Sequence, residues 1–211
     1  MRTLAAAALA AVVLVISGCG GHAAAPKPAA RTVGNGLHGL VPEPFPHKPN
    51  FVLTDTAGRR YSLAPSTRGK LTYLYFGYTH CPDACPLTMA DLAGAVHAEP
   101  KSVRARVDVV FVTVDPRRDT PHILRRWLDH FDPGFVGLTG TRGQIAAAER
   151  AAGIPLAAPE KVKGANYAVA HSTLVLAYSP DGLAHVVYSQ GFKTRDYEHD
   201  MPLLLRYARL R

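Results

Sequence analysis

An α/β fold, a mixed sheet flanked by helices, is predicted by three features of the chain. Residues 107–114 form an almost unbroken β-branched run, the pattern of a strand buried on both faces of a sheet. A second strand-like run lies at 71–76. Between the two, Leu87, Leu92, Ala95 and Val96 recur at helical spacing until Pro100 stops them, so strand, helix and strand read as a βαβ crossover. Later, the apolar runs 172–178 and 183–188 are joined by Ser179-Pro180-Asp181-Gly182, a turn sequence that folds them into a hairpin.

The elements follow in order. Residues 1–18 carry one positive charge, Arg2, and an apolar run at 4–16, too short to span a bilayer and typical of an export signal. Ile16-Ser17-Gly18-Cys19 resembles the lipobox of bacterial lipoproteins, in which the cysteine becomes the new N-terminus and carries lipid. Such a role would account for a third, unpaired cysteine in an exported chain, and a diacylglycerol plus an N-acyl chain is enough for stable anchoring. Residues 19–49 are rich in Ala, Gly and Pro with almost no apolar periodicity, so a flexible tether is expected, with His22, His38 and His47 in solvent.

One domain, 50–211, is expected to fold. It opens with a hairpin, 51–54 and 60–63, around a turn at 55–58. Thr120-Pro121 reads as an N-cap followed by proline at the first helical position, starting a helix through Trp127 to Phe131. A short strand at 135–138 precedes Thr141, which caps an alanine-rich helix, 142–152, closed by Gly153. A loop at 154–166 leads to the late hairpin, and 194–210 is a closing helix. There is no internal repeat. The order ββ-β-α-β-α-β-α-ββ-α is a thioredoxin-like layout, a mixed sheet flanked by helices, with an N-terminal β-hairpin added.

The formal net charge of +8 is scattered in small knots such as Arg104 to Arg106 and Arg125-Arg126 rather than gathered in a long basic run. Nucleic acid is therefore not an expected partner, and the charge suits a solvated surface or an acidic or anionic neighbour.

Chemistry concentrates at Tyr75-Phe76-Gly77-Tyr78-Thr79-His80-Cys81-Pro82-Asp83-Ala84-Cys85-Pro86, which holds two of the three cysteines on a strand-to-helix loop. A residue before proline avoids the α region, so Cys81 and Cys85 are both expected outside the helix, with Pro86 in its first turn. Free N–H groups at a helix start favour thiolate over thiol. Spacing leaves a dithiol/disulfide redox pair, half of a zinc site, a soft-metal copper site and a structural disulfide all open.

Together with Val114-Asp115-Pro116-Arg117-Arg118-Asp119-Thr120-Pro121 and Ala170-His171-Ser172, this loop resembles the Sco/SenC family, membrane-tethered copper chaperones of cytochrome c oxidase assembly. The likeness runs from about Phe51 to the C-terminus, with the three motifs in the family's order. It implies copper, Cu(I) or Cu(II), on Cys81, Cys85 and His171, and delivery to the binuclear copper site of oxidase subunit II from the extracytoplasmic face of the cell membrane. Two thiolates and an imidazole suit Cu(I) and can still hold Cu(II). A thiol-disulfide oxidoreductase using Cys81 and Cys85 is the alternative, whereas the Pro-x-x-x-Thr-x-x-Cys pattern of a peroxiredoxin is missing. The family often has an acidic residue before the histidine, and here that position is Ala170. Asp115 and Asp119 match the family's acidic positions, as either site residues or turn formers. His80 is expected beside the site or in solvent, and His97, His122, His130, His185 and His199 on the surface.

Overall fold

The computed structural model describes residues 36–161 and 167–209, so the expected export signal and Cys19 lie outside the described residues. The chain enters the sheet as the predicted hairpin, β1 (Val52–Asp55) and β2 (Arg60–Ser62), turned by Asp55, whose side chain accepts from Ala57 N and Arg59 N. A short α1 (Leu63–Ser66) leads to β3 (Leu71–Gly77), every residue of which is buried. The crossover then runs through α2 (Ala84–Ala98) and a short α3 (Lys101–Arg104) to β4 (Val107–Thr113), parallel to β3. Next come α4 (Pro121–Leu128), β5 (Val136–Thr139) and α5 (Arg142–Ala151). Thr120 caps α4 by accepting from Ile123 N, and Thr141 and Gln144 close a reciprocal capping box on α5. Both caps match the sequence reading.

The seven-stranded sheet has the order β2-β1-β5-β4-β3-β8-β9, completed by β8 (Val175–Tyr178) and β9 (Ala184–Tyr188) before the closing helix α6 (Thr194–Leu204). β3, β4 and β5 are parallel, and the strands outside them are antiparallel. The thioredoxin-like layout with its added hairpin is thus the architecture of the chain. Central strands reach full burial because helices cover both faces, and fully buried Tyr73, Tyr75 and Phe111 anchor the core. Burying Phe111 contributes about 1.5–3 kcal/mol relative to exposure. No helix among the described residues is long and apolar enough to cross a membrane.

Several expectations are corrected. The loop expected at 154–166 contributes β6 (Ala158–Glu160), which pairs with β7 (Ala168–Ala170) as a separate two-stranded ribbon, and the strand expected from 172 begins only at Val175. Residues 36–49, expected as part of a flexible tether over 19–49, instead lie against the sheet edge as a strap. Leu40 exchanges backbone bonds of 2.8 and 2.7 Å with Val187, Ala184 N donates to Pro46 O, and Leu37 is 2% exposed. An edge strand presents unpaired N–H and C=O groups, and the strap satisfies those of β9 without the apolar periodicity that a core element needs. Gly39 permits the close approach, since a Cβ there would lie 2.2 Å from Val186 Cγ2. Finally, His185 is not on the surface. It is buried, 2.8 Å from Asp181 and stacked on Tyr207 at 3.7 Å, because the hairpin turn and the chain end fold over it.

Candidate metal centre

The buried strand β3 stops at Gly77, and the next residues turn across the top of the sheet. Cys81 sits in that turn, with its N–H donating to Tyr78 O at 3.2 Å, and is partly exposed. Cys85 is fully buried and stands second in α2, not outside it as its proline neighbour suggests. Pro86 is tolerated there because first-turn N–H groups have no intrahelical acceptor, so its missing donor costs nothing. Cys85 N donates to Cys81 Sγ at 3.4 Å, which puts a helix-start donor on the outer sulfur. Both cysteines are free thiols.

His171 comes in from the irregular stretch between β7 and β8, which is why β8 starts late. Its Nε2 is 3.5 Å from Cys85 Sγ, and its Nδ1 donates to Ser172 O at 2.8 Å, an arrangement that aims Nε2 at the sulfurs. One donor atom from each of Cys81, Cys85 and His171 lies within 4.8 Å of the others. Tyr75 and Tyr78 stand edge-on to the imidazole, with ring centroids 6.2 and 5.5 Å away, and Tyr75 Oη donates to Cys85 Sγ at 3.6 Å. Gly77 leaves room for the inner sulfur, because a Cβ there would be 2.8 Å from it.

The two thiols are electrostatically unequal. A hydrogen bond from Cys85 lowers the Cys81 thiol to about 4 against the opposing effect of burial, helped by His171 and by the N–H groups of Asp83 and Cys85. Burial pushes the Cys85 thiol up, as does the adjoining Cys81 sulfur. Burial works against charge on His171, but its bonds to Cys81 and to the Ser172 backbone outweigh that and raise it. The result is one thiolate held beside a thiol and an imidazole, a cluster able to take a soft cation or to exchange with a disulfide.

Asp119 and Asp115 hold the loops rather than reach the sulfurs. Fully buried Asp119 accepts from Thr79 N at 2.9 Å, Thr79 Oγ1 at 2.6 Å and Thr113 Oγ1 at 2.7 Å, fixing the cysteine turn to β4. Asp115 accepts from Arg118 Nε and from Tyr167 Oη, while Arg118 lies 3.8 Å over the Tyr167 ring and donates to Tyr167 O. Val169 N donates to Tyr78 Oη at 3.4 Å, so the segment entering His171 is tied to both neighbouring strands. His80 points outward, 3.0 Å from Thr79 Oγ1, as expected. The sequence reading missed Gly77, Tyr75, Tyr78, Arg118, Tyr167 and Glu149. Glu149 is a buried carboxyl close enough to interact electrostatically with His171, a place from which acidic character can be supplied in the absence of an acid at Ala170. Tyr75, Gly77, Tyr78 and Arg118 lie inside the quoted motif segments, where Gly77 ends an apolar strand, whereas Tyr167 and Glu149 left no signal.

Comparison with known proteins agrees with this geometry. The SCO1/SenC family model matches residues 41–205. The mitochondrial SCO2 homolog of Bos taurus is 39% identical over 142 residues, 67% of this chain and 53% of that protein. The chain spans about half to two thirds of the length of the curated relatives it matches. Among solved structures, apo Sco1 of Thermus thermophilus superposes with a TM-score of 0.71 at 29% identity, covering 80% of this chain and 97% of that one. Bradyrhizobium japonicum ScoI, solved with copper bound, has a TM-score of 0.67 at 30% identity, covering 76% and 99%. With the match extending from the strap to the end of α6 and taking in all three motif segments, the chain belongs to the SCO1/SenC family.

Proposed function

We propose that the protein binds copper on Cys81, Cys85 and His171 and delivers it to the binuclear copper site of cytochrome c oxidase subunit II. The single observation that carries the reading is the convergence of two sulfurs and one imidazole nitrogen within 4.8 Å, with Cys85 and His171 86 positions apart in the chain. A structural zinc site would want a fourth protein ligand, and none joins this cluster among the described residues. Two sulfurs and an imidazole instead suit a low-coordinate soft ion that can leave by ligand exchange. A partly exposed Cys81 offers an incoming ligand a way in, while buried Cys85 keeps the inner bond dry. A lipid on Cys19 would hold the domain at the extracytoplasmic face of the cell membrane, with the residues before the strap as its reach. Cys19→Ala should then lose lipid labelling, and unchanged labelling would remove the anchor from the proposal.

The deciding experiment is metal analysis of the reduced protein beside its Cys81→Ser and His171→Ala variants. One copper per chain is expected in the parent and its loss in Cys81→Ser. His171→Ala should lose the sulfur-to-copper charge-transfer absorption of the Cu(II) form, lose less Cu(I), and oxidise its dithiol unaltered. The contrast between the outer thiolate and the buried partner thiol also suits a thiol-disulfide oxidoreductase, in which Cys81 attacks a target disulfide and Cys85 resolves the mixed disulfide, leaving the target reduced and this pair oxidised. A full Cu(II) spectrum and affinity in His171→Ala would refute the ligand set and favour that second reading.

A further inference from the structure

A second group of metal-ligating side chains forms where the strap meets α6. His38 and His199 stack face to face, with ring centroids 3.9 Å apart and planes 7° from parallel. Each is gripped at Nδ1 by a carboxylate: His38 by Asp196 Oδ1 at 3.0 Å and His199 by Asp200 Oδ1 at 2.8 Å. An ionised carboxylate can only accept, so each Nδ1 carries its proton, and in the neutral ring Nε2 is left with a lone pair. The side chains are 44% and 43% exposed, so both rings can be approached by a solvated ion.

Asp200 orients rather than ligates. It is fully buried, and besides His199 it accepts from His38 N, Gly39 N at 3.0 Å and Tyr188 Oη at 2.9 Å, which occupies both oxygens. Asp196 is likewise engaged, since its Oδ2 accepts from Lys193 N at 2.9 Å. Carboxylates that fix the tautomer and orientation of an imidazole from behind are the usual outer partners of metal-binding histidines. Here two such pairs stand side by side, with a ring nitrogen of each histidine and an Asp200 oxygen within 4.8 Å of one another.

We propose that His38 and His199 form a second metal site, taking a divalent transition ion through their Nε2 atoms, with water completing its coordination. The donor set contains nitrogen and no sulfur, so it selects borderline divalent ions over Cu(I), and among these Cu(II) binds tightest. In the parallel stack the two in-plane lone pairs run side by side, so holding one ion requires the rings to tilt out of the stack toward each other, a movement their exposure permits. An ion held there ties the strap to α6 and stabilises the native packing by mass action. The site is independent of the cysteine centre and does not rest on the copper-delivery reading.

The test uses the full chain with Cys81→Ser and Cys85→Ser, which removes the two sulfur donors of the cysteine centre. Cu(II) titration followed by electron paramagnetic resonance is expected to show one ion with nitrogen hyperfine structure and a thermal midpoint that rises with Cu(II). Adding His38→Gln or His199→Gln keeps a side-chain donor toward the carboxylate, and circular dichroism checks that the fold persists. Each change should weaken binding by at least the roughly 10–100-fold that loss of an outer partner causes, and abolish the thermal shift. Two results overturn the proposal: no Cu(II) binding by the Cys81→Ser, Cys85→Ser protein at severalfold excess, or binding of equal affinity when both histidines are Gln.

Discussion

Gly77→Ala tests whether the site is held by packing as well as by its ligands. The added methyl would sit 2.8 Å from Cys85 Sγ, 2.8 Å from Tyr75 Cε1 and 3.1 Å from Phe111 Cε2. Ordinary contact begins at 3.4 Å, so the sulfur and the tyrosine ring must each retreat by at least 0.6 Å (3.4 − 2.8). All three groups are buried in the core, where there is little slack, and overpacking of this kind costs about 1–3 kcal/mol. At about 2–4 °C per kcal/mol for a domain of this size, the thermal midpoint should fall by roughly 2–12 °C. A retreat to ordinary contact is comparable to the ~0.5 Å tolerance of a preorganised site, so Cu(I) affinity, measured by competition with a chromophoric chelator, should fall with it. Gly143→Ala is the control. Its nearest neighbour is Thr141 Oγ1 at 4.0 Å on a helix surface, and it should stabilise by up to ~1 kcal/mol through helix propensity. If Gly77→Ala matched the parent in both midpoint and Cu(I) affinity, the close packing of β3 against the inner sulfur would not be what positions it.

Two further outcomes follow from the same loops. Asp119→Ala strands the buried Thr113 hydroxyl and releases Thr79, so a loss of about 1–3 kcal/mol is expected from denaturant midpoints, with faster amide exchange at Thr79; unchanged exchange there would show that Asp119 does not hold the cysteine turn. The Cys81 thiol is lowered to about 4 from 9.0, so in the reduced, metal-free protein its alkylation rate should stay nearly flat from alkaline pH down to about 5 and fall below 4. The linked stability has the same sign: the folded state binds fewer protons than the unfolded state in that window, so the Cys81 contribution is complete above 9.0 and is lost as pH falls through about 4. A midpoint near 9.0 in peptide-mapped alkylation would contradict the arrangement of donors around Cys81.

Much of this molecule is written locally. The β-branched run of β4, the Thr120-Pro121 start of α4, the Thr141 cap of α5 and the turn before β9 each depend on neighbours a few residues apart, and short-range sterics and hydrogen bonding decide them without help from the rest of the chain. The pairing of Cys81 with Cys85 was legible for the same reason, whereas His171 entered as a ligand through resemblance alone. What only the tertiary structure decided involves partners far apart in sequence. The strap closes the edge of β9, the Arg118–Tyr167–Asp115 contacts tie down the approach to His171, Glu149 stands near that imidazole, and His38 meets His199. Periodicity and propensity report on the face a residue presents within its own element. Which distant backbone edge needs covering, and which two histidines then stack beside buried Asp200, depends on how the layers assemble around the core.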